Sequence, residues 1–99
     1  MLFVIQLRFH SHLSREQRDG ALMRRAQWQY PNNMKVLGEY WPASNDPAVL
    51  VICETSDYEP LMEIALTWGD LFDVAVTPAT EPSAGAQMGA AILQRLSDA

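Results

Sequence analysis

Residues 2–10, LFVIQLRFH, alternate between apolar and polar side chains after the first few positions. Successive side chains along a β-strand point to opposite faces of a sheet. One face therefore receives Phe3, Ile5, Leu7 and Phe9, and the other receives Gln6, Arg8 and His10. Near the end of the chain, Asp73 and Thr77 alternate in the same way with Phe72, Val74 and Val76. These segments predict a sheet with one uniformly apolar face and one partly charged face.

Four strand-like and two helix-like segments follow one another in the order β-α-β-β-α-β. The strands are predicted at residues 2–9, 34–41, 48–55 and 71–77, the last ended by Pro78. Each helix begins at a predicted capping box, Ser14 with Gln17 and Ser56 with Glu59. This order is that of the ferredoxin-like α+β fold, in which a four-stranded antiparallel sheet carries both helices on one face.

The helices are expected to cover the apolar face through one stripe each. Leu22 and Ala26 supply the stripe of the first helix, and Leu61, Ile64, Ala65 and Trp68 supply that of the second, which Gly69 stops. The basic residues Arg15, Arg18, Arg24 and Arg25 are interpreted as a solvated helix face.

The chain is expected to form one ferredoxin-like domain over residues 1–79 and an extension over residues 80–99. In the extension, Met88, Ile92 and Leu96 recur every four residues, which predicts a partly helical segment with one thin apolar stripe. This segment either packs on a partner subunit or frays. In the alternative, it folds back over its own sheet.

The composition is that of a single folded domain, with 99 residues of which 48% are hydrophobic and 19% charged. The net charge of -5 repels phosphate backbones, so nucleic acid is not an expected partner. The single cysteine, Cys53, excludes an internal disulfide and is interpreted as a buried, inert thiol. No apolar run approaches the ~18 residues of a membrane helix. With no basic leader either, we expect a cytoplasmic protein without a membrane partner.

The sheet face without helices is predicted to need a partner. It should carry Leu2, Val4, Gln6, Arg8, His10, Lys35, Leu37, Glu39, Trp41, Leu50, Ile52, Glu54, Asp73, Ala75 and Thr77. Many of these side chains are apolar, and large apolar patches on a monomer indicate an interface. We therefore expect two copies to pair through these faces as a dimeric α/β barrel.

Strand geometry predicts a ligand site at one end of this face, where Arg8, His10, Asp73 and Trp41 should meet. Arg8 could hold a carboxylate or an enolate, Trp41 could stack on a ring, and His10, the catalytic candidate, could move a proton. The alternative is a buried Arg8–Asp73 pair that only shapes the interface. His10 and His12 form an H-x-H pair, but His12 falls in a loop, so neither a metal nor another cofactor is predicted.

Four segments resemble a known family: MLFV at residues 1–4, VLGEYW at 36–41, CETSD at 53–57 and WGDLFDVAVTP at 68–78. They are similar to a small group of uncharacterised bacterial and archaeal proteins, a domain of unknown function of the family 3303 type. The resemblance spans residues 1–78 and implies a place among the dimeric α/β-barrel proteins. That wider group includes cofactor-free monooxygenases, muconolactone-isomerase-like enzymes, haem-degrading proteins and stress-response barrels. The Asn, Trp and His set of its haem-degrading members has no match here.

Three hypotheses for the function follow, because one fold can host many activities. The first is a homodimer that binds a small organic molecule without catalysis. The second is a cofactor-independent monooxygenase or isomerase acting on a small aromatic substrate. The third is a structural or regulatory dimer whose interface is filled and holds no ligand.

Overall fold

The structure, a computed structural model, describes residues 1–98 as one antiparallel sheet and three helices. The elements are β1 (Leu2–Phe9), α1 (Arg15–Gln27), β2 (Lys35–Tyr40), β3 (Val49–Glu54), α2 (Glu59–Trp68), β4 (Phe72–Ala79) and α3 (Pro82–Ser97). The strand order in the sheet is β2-β3-β1-β4, with β1 and β3 in the centre. This arrangement confirms the predicted ferredoxin-like fold with a C-terminal helix.

The core lies between the helices and the predicted apolar face of the sheet. The face carries Phe3, Ile5, Leu7, Phe9, Val49, Val51, Cys53, Phe72, Val74 and Val76, and all ten belong to the core or pack against it. Ile64 and Trp68 of α2 and Ala21 of α1 cover it from above. Each large apolar side chain buried in this way contributes about 1.5–3 kcal/mol. The alternation in the sequence therefore predicted the core face correctly.

Helix α1 begins where the sequence predicts, and its buried side matches the predicted stripe only in part. The Ser14 side chain accepts a hydrogen bond from the Gln17 backbone amide, and the Gln17 side chain accepts one from that of Ser14, so the capping box is confirmed. The buried residues are Ala21 and Arg25. Leu22 of the predicted stripe packs against the core, whereas Ala26 is exposed. The prediction of a fully solvated arginine face is therefore wrong at Arg25.

Helix α2 begins without the predicted capping box. Its N-cap residue is Tyr58, which makes no side-chain cap. The Thr55 hydroxyl instead donates to the Asn33 carbonyl, 2.9 Å away, and accepts the Asp57 amide at 3.1 Å. This turn, held by the Thr55 hydroxyl, leads into α2. Because the N-cap of α2 is Tyr58 and not Ser56, the prediction of a capping box formed by Ser56 and Glu59 is wrong. The helix ends at Gly69, as predicted.

Strand β2 contains a bulge that moves Glu39 to the other face of the sheet. Val36 pairs with Cys53 and Gly38 pairs with Ile52, which leaves one extra residue, Leu37, on the β2 side. An extra residue reverses the alternation of every side chain after it. Glu39 consequently lies opposite Val51 on the helix-covered face. The prediction that Glu39 lies on the helix-free face is wrong.

Strand β4 continues past its predicted end, through Pro78 to Ala79, and Pro78 pairs with Phe3. Proline is tolerated there because β4 is an edge strand, on which the missing N–H can point away from the neighbouring strand. Helix α3 follows after two residues. None of its residues is buried, and the molecule is 57 Å along its longest axis. The alternative in which this segment folds over its own sheet is therefore not the arrangement seen.

Candidate functional site

The sheet face without helices is uncovered in the single chain. We call it the open face and define it by Leu2, Val4, Gln6, Arg8, Lys35, Tyr40, Leu50, Ile52, Glu54, Asp73, Ala75 and Thr77. Its middle combines the apolar side chains of Val4, Leu50 and Ile52 with the polar side chain of Gln6, because Val4 pairs with Ile52 and Gln6 pairs with Leu50. All of its side chains are half-buried or exposed. The face therefore offers apolar contact area with charged groups towards its ends.

Three of the predicted site residues meet at one end of this face. Arg8 and Asp73 pair directly across β1 and β4, so their side chains project from the same side of the sheet. Arg8 Nη2 donates to Asp73 Oδ2 at 2.7 Å, and His10 Nε2 lies 3.3 Å from Asp73 Oδ1. We call these three residues the Arg8 cluster. Their predicted proximity is confirmed.

The Asp73 carboxylate is ionised at neutral pH. The hydrogen bond from Arg8 is the main cause that holds the pKa of Asp73 below its usual value, and the positive charge of Arg8 acts in the same direction. The same hydrogen bond raises the pKa of Arg8. The side chains of Arg8 and Asp73 are 55% and 54% exposed. Arg8 and Asp73 therefore form an ion pair. In the single chain, both side chains remain accessible to a ligand or a partner.

A fourth group completes the surroundings of Arg8. Asp46, in the loop between β2 and β3, places its Oδ2 atom 4.0 Å from Arg8 Nη1. A hollow of about 270 Å³ lies beside this contact, lined by Gln6, Arg8, Asp46, Asp73, Val74 and Ala75. Ligand pockets usually enclose ~300–1,000 Å³. One chain therefore forms a shallow part of a site that a second surface could close.

Trp41 is tied to a different set of residues. Its indole N–H donates to Glu39 Oε2 at 2.7 Å, and Glu39 lies on the helix-covered face. There Arg25 Nε donates to the same oxygen at 2.9 Å, and the Tyr30 hydroxyl donates to Glu39 Oε1. We call Arg25, Tyr30, Glu39 and Trp41 the Glu39 cluster. The hydrogen bond of Trp41 therefore places it in the Glu39 cluster, and its predicted contact with a ligand stays a prediction.

The Glu39 cluster is a largely buried ion pair with its hydrogen-bond partners. The Arg25 side chain is only 1% exposed and lies 5.0 Å from the ring centroid of Trp68. Burial alone would raise the pKa of Glu39, but hydrogen bonds from Tyr30, Trp41 and Arg25 outweigh burial and lower it. Burial and the neighbouring Glu39 carboxylate both raise the pKa of Tyr30. The cluster is thus a charged pair held between α1 and β2, in which Arg25 Nε and Nη2 are hydrogen-bonded and the buried Arg25 Nη1 has no hydrogen-bond partner among the described residues.

Sequence reasoning missed Asp46 and most of the Glu39 cluster. Asp46 lies in a loop, where periodicity gives no information about direction. Glu39 was placed on the wrong face because the bulge at Leu37 was not recognised, although Gly38 within the strand is a known signal of a bulge. The aromatic residues Trp28 and Tyr30, close behind Arg25 in the chain, are the one signal that could have indicated a buried arginine.

The two histidines lie near each other at the end of β1. The ring centroids of His10 and His12 are 5.6 Å apart. Across residues 1–98, no three His, Cys, Asp or Glu side chains are grouped so that they could hold a metal ion. Over the same range, no helix is both long and apolar enough to cross a lipid bilayer.

Comparison with known proteins identifies the family. Residues 1–93 match the family described as Domain of unknown function (DUF3303). The chain belongs to this family. The match confirms the resemblance noted in the sequence and extends it from residue 78 to residue 93, so most of α3 is part of the DUF3303 pattern. No curated protein and no solved structure matches the chain significantly.

Proposed function

We propose that the protein is a homodimer that binds a small organic molecule between the open faces of two copies. The observation that carries this proposal is the Arg8 cluster, which is partly exposed at the end of an uncovered sheet face that also carries Val4, Leu50 and Ile52. The proposal includes the pairing expected for a dimeric α/β barrel. The single buried thiol, Cys53, supports a reducing, cytoplasmic location.

The open face supports the homodimer. Half-buried Val4, Leu50 and Ile52 form its centre, and exposed Tyr40 extends it over β2. Burial of such a face contributes about 25 cal/mol per Å² of apolar area, which favours a covered state. A second copy is the simplest cover, since the same patch then serves on both sides of a twofold axis.

The Arg8 cluster supports a ligand with both polar and apolar parts. Arg8 and His10 offer N–H groups, whereas Asp46 and Asp73 offer carboxylate oxygens, all beside an apolar strip of sheet. An incoming carboxylate or enolate could take the place of Asp73 on the guanidinium, which binds planar anions with two hydrogen bonds. The apolar part of the ligand would rest on Leu50 and Ile52.

A second candidate, cofactor-independent catalysis, has one specific observation in its favour. Asp73 Oδ1 lies 3.3 Å from His10 Nε2, so a carboxylate orients an imidazole that is still partly open to solvent. Such a pair can hold or move a proton at a substrate carbon or oxygen. His10 is accordingly the residue whose replacement tests an oxygenase or isomerase activity.

Native mass spectrometry of the freshly purified full-length chain tests the proposal. We expect the mass of two chains plus a retained small molecule. Arg8→Gln should keep the dimer and lose that molecule, while the control Arg15→Gln, which changes a far more exposed arginine on α1, should keep both. A monomer at micromolar concentration would contradict the shared chamber. A dimer without added mass would favour the structural or regulatory dimer.

Replacement of His10 separates binding from catalysis. If the protein is an enzyme, His10→Ala should lose turnover even when the molecule is supplied at a saturating concentration. A variant that binds and turns over the molecule at the wild-type rate would exclude the proton-transfer role of His10.

A further inference from the structure

A second apolar surface lies on the helix-covered side of the sheet, away from the open face. Helix α2 leaves a groove of about 740 Å³ along β1 and β4. Its apolar walls are formed by Phe3, Leu61, Met62, Ala65, Leu66 and Val76. Met62 and Leu66 are 49% and 72% exposed, so two large apolar side chains of this surface are open to solvent together. We call this surface the α2 groove.

Helix α3 presents an apolar stripe that no other element within residues 1–98 buries. Met88, Ile92 and Leu96 recur every four residues and Leu93 lies beside them, so all four share one side of the helix. Leu93 and Leu96 are 68% and 63% exposed, and no residue of α3 is buried. Helical stability in water normally requires burial of such a stripe.

We infer that the apolar stripe of α3 docks in the α2 groove of a second copy. The charges of the two surfaces are complementary. Arg95 is the only charged residue within α3, whereas α2 carries Glu59 and Glu63 without a basic residue. Asp57 adds another carboxylate to the lining of the groove. The single positive charge of α3 would therefore meet the carboxylates of α2 beside an apolar contact, whereas the acidic cap residues Glu81 and Asp98 lie at the two ends of the helix.

The position of α3 favours exchange between two copies. A hollow lined by Met1, Leu2, Pro78, Ala84 and Met88 lies where α3 leaves the sheet, and Met1 and Pro78 line the α2 groove as well. Helix α3 thus starts at the mouth of its own groove, yet it does not fill that groove. Reciprocal exchange would fill two grooves with two helices.

The area available suits a stable contact. Each copy contributes four large side chains of α3 that are more than a third exposed, together with the exposed Met62 and Leu66 of its groove. Exchange forms two equivalent contacts between a helix α3 and an α2 groove. Summed over both chains, they bury an area on the order of the ~1,200–2,000 Å² found in specific interfaces. This inference goes beyond the proposed function, because it concerns the helix-covered side and not the open face.

Disulfide trapping in the full-length chain tests the inference. In a Cys53→Ala background, the pair Leu66→Cys and Ile92→Cys should form a disulfide between chains, seen as a dimer on a non-reducing gel. The control pair Leu66→Cys and Gln94→Cys, with Gln94 on the polar side of α3, should stay largely monomeric. A disulfide within one chain would show that α3 folds back on its own groove and would overturn the inference. The inference would also be overturned if the pair with Ile92→Cys formed no more disulfide between chains than the pair with Gln94→Cys.

Light scattering separates this interface from the open face. Ile92→Glu should raise the dimer dissociation constant at least about tenfold, since it places a charge in an apolar contact. Gln94→Glu adds the same charge on the other side of α3 and should leave the constant unchanged. If Ile92→Glu matches wild type while Leu50→Lys on the open face dissociates the dimer, the α3 inference fails and the proposed function stands. If instead Ile92→Glu dissociates the dimer and Leu50→Lys matches wild type, the open-face interface is excluded and the α3 interface is supported.

Discussion

At the scale of single residues, the ion pair of Arg25 and Glu39 is a polar contact between helix α1 and strand β2. Arg25 Nε donates to Glu39 Oε2 at 2.9 Å, and Arg25 Nη2 donates to the Tyr30 hydroxyl at 2.7 Å. Removal of one member of a buried ion pair is costly, because the charge that remains has no compensation. The pair therefore links the first helix to the edge strand β2.

We predict that Glu39→Gln lowers the free energy of unfolding by about 3–5 kcal/mol, the usual effect of breaking a buried pair. Urea denaturation at neutral pH measures the change. Glu63→Gln, on the exposed side of α2, is the matched control and should stay within about 0.5 kcal/mol of wild type. Equal losses in the two variants would show that Arg25 does not depend on Glu39.

The pH dependence of stability tests the charge of Glu39. Its pKa in the folded protein lies below the value in the unfolded chain, about 4.3. The carboxylate therefore stabilises the fold fully above about pH 4.3, and this contribution is lost as the pH falls through the lower folded pKa. In urea titrations, wild type and Glu39→Gln should differ most at neutral pH and converge in acid. A difference that stays constant into strong acid would contradict this assignment.

The sequence predicted the Arg8 cluster but not the Glu39 cluster, and the two differ in how their positions are set. Arg8 and Asp73 lie on regular strands, where a period of two fixes the face of each side chain. Glu39 lies beyond an irregularity that shifts the period. Arg25 was assigned to the polar side of α1 because hydropathy ranks arginine as polar, although its stem and planar head can pack on aromatic rings.

At the scale of elements, the two Ser-x-x-Glu/Gln patterns have different outcomes. Ser14 caps α1, while Ser56 lies outside the first turn of α2. The difference arises because the Thr55 hydroxyl already accepts the Asp57 amide, and α2 then begins at Glu59, immediately before Pro60. A local motif predicts a helix start only where the backbone around it is free to adopt that geometry.

A pair of serine replacements tests this difference. Ser14→Ala should lower the free energy of unfolding by about 1 kcal/mol, because one amide of the first turn loses its acceptor. Ser56→Ala should change it by less than about 0.5 kcal/mol. Thermal and urea denaturation of the two variants beside wild type provide the measurement. A larger loss from Ser56→Ala would indicate that α2 is capped as the sequence suggested.

At the scale of the whole molecule, the fold follows from the sequence more securely than the assembly does. Strand order and core face depend on patterns within one chain, and these were predicted correctly. The assembly depends on which of two apolar surfaces, the open face and the α2 groove, meets a partner. Hydropathy patterns alone do not rank two such surfaces, since both satisfy the same requirement for burial.

Replacement of Leu50 tests the open face as an interface. Leu50→Lys places a charge at the centre of that face, beside Gln6 and Tyr40, and should raise the dimer dissociation constant at least about tenfold. Met23→Lys, at an exposed apolar position of α1, is the control and should sediment like wild type. Sedimentation velocity at micromolar concentration distinguishes the two. A Leu50→Lys protein that remains dimeric would exclude the shared chamber.

The bulge at Leu37 and the proline at position 78 lie on the two outermost strands. An additional strand, whether from another molecule or from a growing fibril, needs an unbroken row of amide donors along the rim of a sheet. One rim is kinked and the other lacks a donor at residue 78. Both edges of the sheet are therefore poor templates for an added strand. Concentrated solutions of the protein should resist amyloid-like growth, whereas association through the faces of the sheet is not hindered.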